Sequence, residues 1–214
     1  AYDETPLTDI KEEALDKRAI KNDFRDLKSV SSKELETLGL LVKHQKLRVP
    51  TIGGYLLYGI DRFERFSDAW IQAGVFAGTD RCDLIDSSEI RSYLPSAITE
   101  ALAFLKRNLA RASHIGEVKR TDIYEIVDRL EVENPGLLPF GMTVEEMQLG
   151  ISKIRNRVIA RVCKELGLIE QWGSGVQRIN ALCQAAGLKA PQYREVGTHF
   201  RVTFLKELIP VSNT

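Results

Sequence analysis

The strongest constraint on the fold is a glycine-rich junction between two amphipathic helices near the C-terminus. The run Leu166–Ile179 leads from the end of one helix into the next through Gly173-Ser174-Gly175. The second helix starts with unpaired backbone N–H groups and the positive end of its dipole, and the glycines let a phosphate or carboxylate come close. The simpler interpretation is a Gly173 C-cap followed by a Ser174 N-cap, and the bare tripeptide favours it.

Composition limits the classes of protein to which the chain can belong. Its 214 residues suit one large domain or two small ones. Thirty basic and thirty acidic residues cancel, so no overall field attracts nucleic acid or an anionic membrane. The cysteines Cys82, Cys163 and Cys183 are odd in number and widely spaced, which suits neither a disulfide framework nor a zinc site. With no long apolar run and no leader, we expect a cytoplasmic protein without a membrane partner.

Apolar residues at helical spacing predict the helices. A charged stretch, 9–27, predicts one or two surface helices. Thr143 and Glu146 have the spacing of a capping box, which predicts a short helix after them. The most regular patterns cover Tyr93–Leu109, Asn156–Leu166 and the segment from Ser174 to Gly187. The chain is therefore rich in helix in both halves.

The remaining apolar runs predict strands. Thr51–Ile60 is predicted to be a buried strand whose Gly53-Gly54 pair marks a bulge or a close backbone approach. Further strands are predicted at Ala69–Phe76, Ile123–Val132 and Phe200–Leu205. Together the elements predict an α+β chain in which a mixed sheet is covered by helices on one face. The polar stretch 111–122 suggests a boundary, which gives an N-terminal region of residues 1–110, a module 111–206 and a tail 207–214.

Several motifs occur in an order that resembles a known family. They are Asp128–Pro139, Thr143–Glu146, Ile154–Asn156, Leu166–Ile179 and Phe200–Phe204. The series is similar to the C-terminal portion of bacterial transcriptional regulators of the Schlafen/AlbA type. These are also described as RecG-like or RecG-related ATP-dependent DNA helicases, and their C-terminal module is a divergent ATPase domain of the GHKL type. The resemblance is strongest over Asp122–Lys206, and Val49–Gly59 with Phe76–Asp80 extends it upstream.

The resemblance implies an ATP site made of two glycine boxes. Asn134-Pro135-Gly136 stands at the first box, 140–172 spans the lid, and Gly173-Ser174-Gly175 stands at the second. A glycine-rich helix start can hold phosphate oxygens through backbone N–H groups alone. The lid region also carries cations that can reach the same phosphates, although for each one alone a solvated surface residue is the favoured interpretation: Lys153, Arg155 and Arg157.

Two departures from the family pattern argue more strongly against ATP hydrolysis than against ATP binding. Asn134 stands where the family has an adenine-reading Asp, so a group that donates and accepts replaces a pure acceptor, and Leu138 takes the place of a second glycine. In the family, a helix with the general base and a magnesium-binding Asn precedes the strand. Here Lys119–Asp122 runs almost directly into Ile123–Val127, which suggests that a segment is missing near Asp122, and no catalytic residue is assigned.

Three functions remain open. The favoured one is a nucleotide-responsive regulatory module of a transcriptional regulator, with a degenerate site for ATP and magnesium and a DNA-binding AlbA-like domain upstream of this chain. The second is a DNA-associated, helicase-related ATPase, and the third is a structural or dimerisation module that forms a homodimer without a ligand. The predicted ligand-binding residues are Asn134, Gly136, Arg155, Gly173, Ser174 and Gly175, and the scattered His44, His114 and His199 indicate no metal site.

Overall fold

A computed structural model describes residues 1–27, 29–77, 82–112, 129–169 and 173–206. The helices are α1 (Lys17–Asp23), α2 (Ser32–Leu38), α3 (Ile52–Tyr58), α4 (Arg62–Arg65), α5 (Leu94–Ala112), α6 (Val144–Gln148), α7 (Arg157–Glu165) and α8 (Gly175–Ala185). The strands are β1 (Leu41–His44), β2 (Leu47–Pro50), β3 (Ile71–Ala77), β4 (Asp83–Ile90), β5 (Arg129–Pro135), β6 (Gln192–Val196) and β7 (His199–Leu205). Short 3-10 turns lie at Tyr2–Glu4 and Glu12–Ala14. The predicted α+β class is confirmed.

Small antiparallel sheets replace the single mixed sheet that the sequence predicts. In the described regions of the chain, β1 pairs with β2, β3 pairs with β4, and β7 lies between β5 and β6. Strand β7 is antiparallel to both of its neighbours. The connection from β6 to β7 is a tight turn with Gly197 at φ 59°. Such a turn can join antiparallel strands, whereas a parallel pair needs a long crossover.

The chain divides into two compact units made of interleaved segments. The N-terminal unit comprises Ala1–Ala73, Ser88–Ala101 and Ile154–Glu170. The C-terminal unit comprises Gly74–Ser87, Leu102–Lys153 and Gln171–Thr214. Helix α7 therefore packs in the N-terminal unit although it is late in the sequence. The domain limits that the sequence suggests, at residues 110 and 206, stay a prediction.

Helix α3 is the centre of the N-terminal unit, and the strand predicted at Thr51–Ile60 is wrong. The Thr51 hydroxyl accepts a hydrogen bond from the Gly54 N–H at 2.9 Å, which starts a helix. A Cβ on Gly54 would collide with the Leu40 carbonyl oxygen, and one on Gly53 would lie 2.7 Å from the Val158 Cβ. The glycine pair thus marks the predicted close backbone approach, although the element is a helix. The sequence pattern predicts a strand here because periodicity does not distinguish a short buried helix from a buried strand.

The N-terminal unit has a continuous apolar core. Its deepest side chains, which are fully buried, include Ile20, Leu35, Leu40, Leu57 and Tyr58. Helix α7 contributes Val158 and Val162 to the same cluster. The helix predicted over Asn156–Leu166 is confirmed, and its apolar face is buried as the pattern indicates.

The C-terminal unit contains a three-stranded sheet together with α6 and α8. The predicted capping box is present: Thr143 accepts from the Glu146 N–H, and the Glu146 carboxylate accepts from the Thr143 N–H. Strand β7 and helix α8 confirm their predictions within one or two residues. Of the strand predicted at Ile123–Val132, the described portion belongs to β5, and 123–128 lie outside the described residues.

The pairing register gives this sheet two different faces. Val132 pairs with Val202, which pairs with Tyr193, so these three side chains share one face. The Tyr193 hydroxyl donates to the Asn180 side chain of α8 at 3.1 Å, so α8 lies on that face. The opposite face is charged and carries the Arg201–Glu133 ion pair at 2.6 Å. None of the helices in the described ranges combines the length and apolar composition that crossing a bilayer requires.

Candidate functional site

The second glycine box forms the start of α8, as the sequence predicts. Gly173 has φ 67°, and Ser174 follows with helical backbone angles, φ −73° and ψ −10°. Ser174 occupies the N-cap position, but its side chain makes no capping hydrogen bond to the helix. Gly175 is the first helical residue. The side-chain cap in the simpler interpretation of this box is therefore absent.

Gly173 is required by packing within the C-terminal unit. A Cβ at this position would collide with the Gly150 carbonyl oxygen and would lie 3.3 Å from the Ser152 Cβ. The same turn is tied to α8, since the Gln177 side-chain amide donates to the Leu149 carbonyl at 3.2 Å. The positive φ and the close backbone contact both account for a glycine without a ligand.

Gly175 has no such structural requirement. A Cβ placed on it would meet no heavy atom of the described residues within 4 Å, and its φ lies outside the left-handed region. Among the described residues, none accepts a hydrogen bond from the backbone N–H of Gly175, Val176 or Gln177. These donors lie at the positive end of the α8 dipole, so this is the portion of the box that can receive an anion.

The first glycine box is a closed turn at the end of β5. Asn134 pairs with Phe200 and Pro135 pairs with His199 in the ladder to β7. Gly136, at φ 98°, donates its N–H to the Thr198 carbonyl at 2.7 Å. The backbone N–H of Gly136 is therefore engaged, and this glycine serves the turn.

The Asn134 side chain is exposed and lies on the α8 side of the sheet. Asn134 is two residues from Val132, so it shares the face that carries Tyr193. Both boxes thus belong to the C-terminal unit, and the polar side chain that the first box offers to a ligand is an amide. An amide can donate and accept, in contrast to the carboxylate that it replaces.

A carboxylate that the sequence did not reveal holds the loop after the first box. The Glu195 Oε1 atom accepts from the Leu138 N–H at 2.8 Å. Glu195 lies on β6, opposite Phe200, and therefore in the same row as Asn134. The signal for it was the short polar strand Gln192–Val196, which lacks the apolar alternation used to predict strands.

The three candidate cations of the lid are divided between the two units. Lys153 is in the C-terminal unit and donates to the Gly141 carbonyl at 2.8 Å. Arg157 is in the N-terminal unit, where its guanidinium lies 3.8 Å from the Glu4 carboxylate. Arg155 is exposed in the N-terminal unit, and its role at a phosphate stays a prediction.

The buried cysteines belong to packing. Burial raises the pKa of the Cys163 thiol in the N-terminal unit and of the Cys183 thiol in the C-terminal unit. Cys183 lies near Tyr193, whose own pKa is raised chiefly by burial. Within the ranges that the structure covers, no three His, Cys, Asp or Glu side chains cluster closely enough to hold a metal ion.

The comparisons with known proteins locate a family in the C-terminal half of the chain. Residues 119–204 match the family model described as "Putative ATP-dependent DNA helicase recG C-terminal". No curated protein matches the chain. The crystal structure of the DIP2311 protein from Corynebacterium diphtheriae is similar, with a TM-score of 0.64 and 17% sequence identity over 96% of this chain.

That likeness concerns the fold alone, because the identity is low. The chain spans about half the length of the solved protein, since it covers 47% of that chain. The family match is independent of it and includes both glycine boxes. The resemblance that the sequence indicates is therefore confirmed: residues 119–204 match the ATPase-related family model of RecG-like C-terminal modules.

Proposed function

We propose that the C-terminal unit binds the phosphates of ATP at the start of α8 and acts as a nucleotide-responsive regulatory module. The observation that carries this proposal is the combination at Gly175 of open space and backbone donors without a described acceptor. It occurs in the segment that matches an ATPase-related family. A helix start of this kind binds anions through its N–H groups and its dipole.

The contrast between the two glycines of the box supports a ligand at one of them. Gly173 is explained by its φ of 67° and by contact with Gly150. Neither explanation applies to Gly175, and glycine in a helix costs about 0.5–1 kcal/mol relative to alanine. A ligand that needs close access to the backbone accounts for a residue that is otherwise unfavourable there.

Asn134 is the proposed side-chain contact of the nucleotide within the C-terminal unit. The exposed Asn134 amide is suited to hydrogen bonding with a base edge, since it offers both a donor and an acceptor. Ser174 completes the proposed set in the second box, and Gly136 shapes the turn of the first box, where its N–H is bound to the Thr198 carbonyl. Magnesium would enter with the nucleotide, bound to its phosphates.

We propose binding rather than efficient hydrolysis. The closed first box and the amide at Asn134 weaken recognition of adenine, so the affinity for ATP should be low. No residue of this chain is assigned as a general base. The regulatory role, with DNA contacted by an upstream domain, belongs to the proposal; the DNA-associated ATPase remains the alternative, favoured by the helicase description of the matching family.

Thermal unfolding with MgATP tests the proposal. A ligand that binds only the folded state must raise the unfolding midpoint, so the native chain should gain several degrees at saturating MgATP. Gly175→Ala should lose most of that gain, because its methyl group fills the space beside the N–H donors. Gln184→Ala, an exposed substitution at the other end of α8, is the matched control and should keep the full gain.

Three outcomes separate the functions. A midpoint that MgATP leaves unchanged in the native chain would contradict nucleotide binding and favour the structural or dimerisation module, which light scattering then tests. A gain that Gly175→Ala retains in full would place the nucleotide away from α8. Steady-state phosphate release that rises with added DNA would favour the DNA-associated ATPase over the regulatory module.

A further inference from the structure

The start of α7 is held by a carboxylate that lies 154 residues earlier in the chain. The Asp3 Oδ1 atom accepts from the Arg157 N–H at 2.9 Å. Its Oδ2 atom accepts from the N–H groups of Val158 and Ile159 at 2.7 and 3.1 Å. Asn156, at the N-cap position, makes no side-chain capping bond, so Asp3 takes the role that an N-cap side chain normally plays.

This cap is buried in the N-terminal unit. Asp3 is 1% exposed, and its carboxylate sits at the positive end of the α7 dipole. A Cβ on Gly53 would lie 2.7 Å from the Val158 Cβ and 3.1 Å from the Asp3 Cβ, so α3, Asp3 and α7 meet at one point. Further along α7, the Arg161 guanidinium donates to the Thr37 carbonyl at 3.1 Å.

The position of α7 in the chain makes this attachment informative. It lies inside the segment 119–204 that matches the ATPase-related family, yet its apolar face belongs to the core of the N-terminal unit. A short segment of chain leads from its last turn to Gly173 and the start of α8. The nucleotide loop is therefore joined covalently to a helix that is fixed in the other unit.

We propose that Asp3 is a latch that holds α7 in the N-terminal unit and thereby links nucleotide binding at α8 to the order of that unit. The link rests on the proposed function. Coupling between two sites is reciprocal, so under this proposal nucleotide at α8 should slow local opening of α7, and release of α7 should weaken nucleotide binding.

Asp3→Asn is the sharpest variant because it keeps the shape of the side chain. The carboxylate accepts three hydrogen bonds through its two oxygens, and an asparagine has one oxygen and one NH₂ group. Whichever way the amide turns, its NH₂ group faces at least one backbone donor of α7. Asp9→Asn is the matched control, since Asp9 lies in the same unit and is exposed beside Arg65.

Amide hydrogen exchange of the full chain, with and without MgATP, tests the latch. Without nucleotide, Asp3→Asn should speed exchange in α7 about tenfold, while the sheet and α8 keep the native rates and show that the variant is folded. Asp9→Asn should match the native chain. With MgATP, exchange in α7 and in the Tyr2–Glu4 turn should slow in the native chain, and this slowing should be lost in Asp3→Asn although α8 remains protected.

Two results would overturn the latch. One is native exchange in α7 of Asp3→Asn; the other is equal MgATP-dependent slowing of α7 in the variant and the native chain. Failure of the nucleotide site has a different signature, namely no slowing at the start of α8 in the native chain. That result would overturn the link to nucleotide, and the cap itself would still be judged by the exchange rates without MgATP.

Discussion

Helices α7 and α8 follow each other in the sequence, but among the described residues only the first backbone N–H groups of α7 have a hydrogen-bond acceptor. At α7, a buried carboxylate accepts three backbone N–H groups. At α8, the Ser174 side chain caps nothing in the helix, and the described residues offer no acceptor to its first N–H groups. The positive end of the helix dipole meets a carboxylate in α7 and no acceptor among the described residues in α8, which is why we propose the anion site at α8.

The largest expected effect is the loss of the α7 cap. Asp3→Ala leaves three N–H groups without their acceptor, one of them on the buried Val158, and should lower the free energy of unfolding by about 3 kcal/mol. Urea denaturation measures the change. Asp9→Ala, which breaks an exposed ion pair, should cost less than about 1 kcal/mol. Equal losses in the two variants would contradict a structural role of the α7 start.

The next largest effect on the free energy of unfolding is expected at Gly173, the glycine of the second box that packing requires. Gly173→Ala forces a methyl group toward the Gly150 carbonyl and a non-glycine residue to φ 67°. We expect a loss of about 2 kcal/mol in the free energy of unfolding, again measured by urea denaturation. A neutral result would show that the Gly150 contact is not formed, and the contrast between Gly173 and Gly175 would then disappear.

A third helix start provides an intermediate case. Helix α6 is capped from within its own segment by Thr143 and Glu146. Thr143→Ala should cost about 1 kcal/mol, because one accepted N–H is lost at an exposed position. In hydrogen exchange, the increase should stay within α6. A loss as large as that of Asp3→Ala would mean that the long-range cap at α7 is no stronger than a local one.

The smallest expected effect has the opposite sign. Gly175→Ala adds a methyl group in open space at a helical position and should raise the free energy of unfolding without nucleotide by about 0.5 kcal/mol. The same variant should bind MgATP about tenfold more weakly, measured by titration calorimetry. A variant that is both less stable and weaker in binding would indicate general damage to α8 rather than a blocked anion site.

The regular elements and the helix start at Gly175 could be predicted from the sequence. Helices α5, α7 and α8 were predicted because their apolar stripes are long enough to define a period. Helix α3 was mistaken for a strand because Ile52–Tyr58 is buried on almost every side and shows no period. Gly175 could be identified because a glycine at a predicted helix start can be read directly from the sequence.

The remaining features depend on contacts that have no local signature. Asp3 meets α7 only after the chain has folded, and nothing in its neighbours marks it as a cap. Glu195 was missed because β6 is short and polar, so its place beside the first box follows from pairing with β7. The family resemblance gave the order of the boxes but not the attachment of α7 to the N-terminal unit.

The most direct test is a residue-by-residue titration of the backbone amides with MgATP by nuclear magnetic resonance. We expect the amide signals of Gly175, Val176 and Gln177 to shift most and to saturate together. Those of Arg157, Val158 and Ile159, whose N–H groups already bind Asp3, should shift less. Unchanged signals at the start of α8 at saturating MgATP, or largest shifts elsewhere in the chain, would contradict the assignment of the nucleotide to α8.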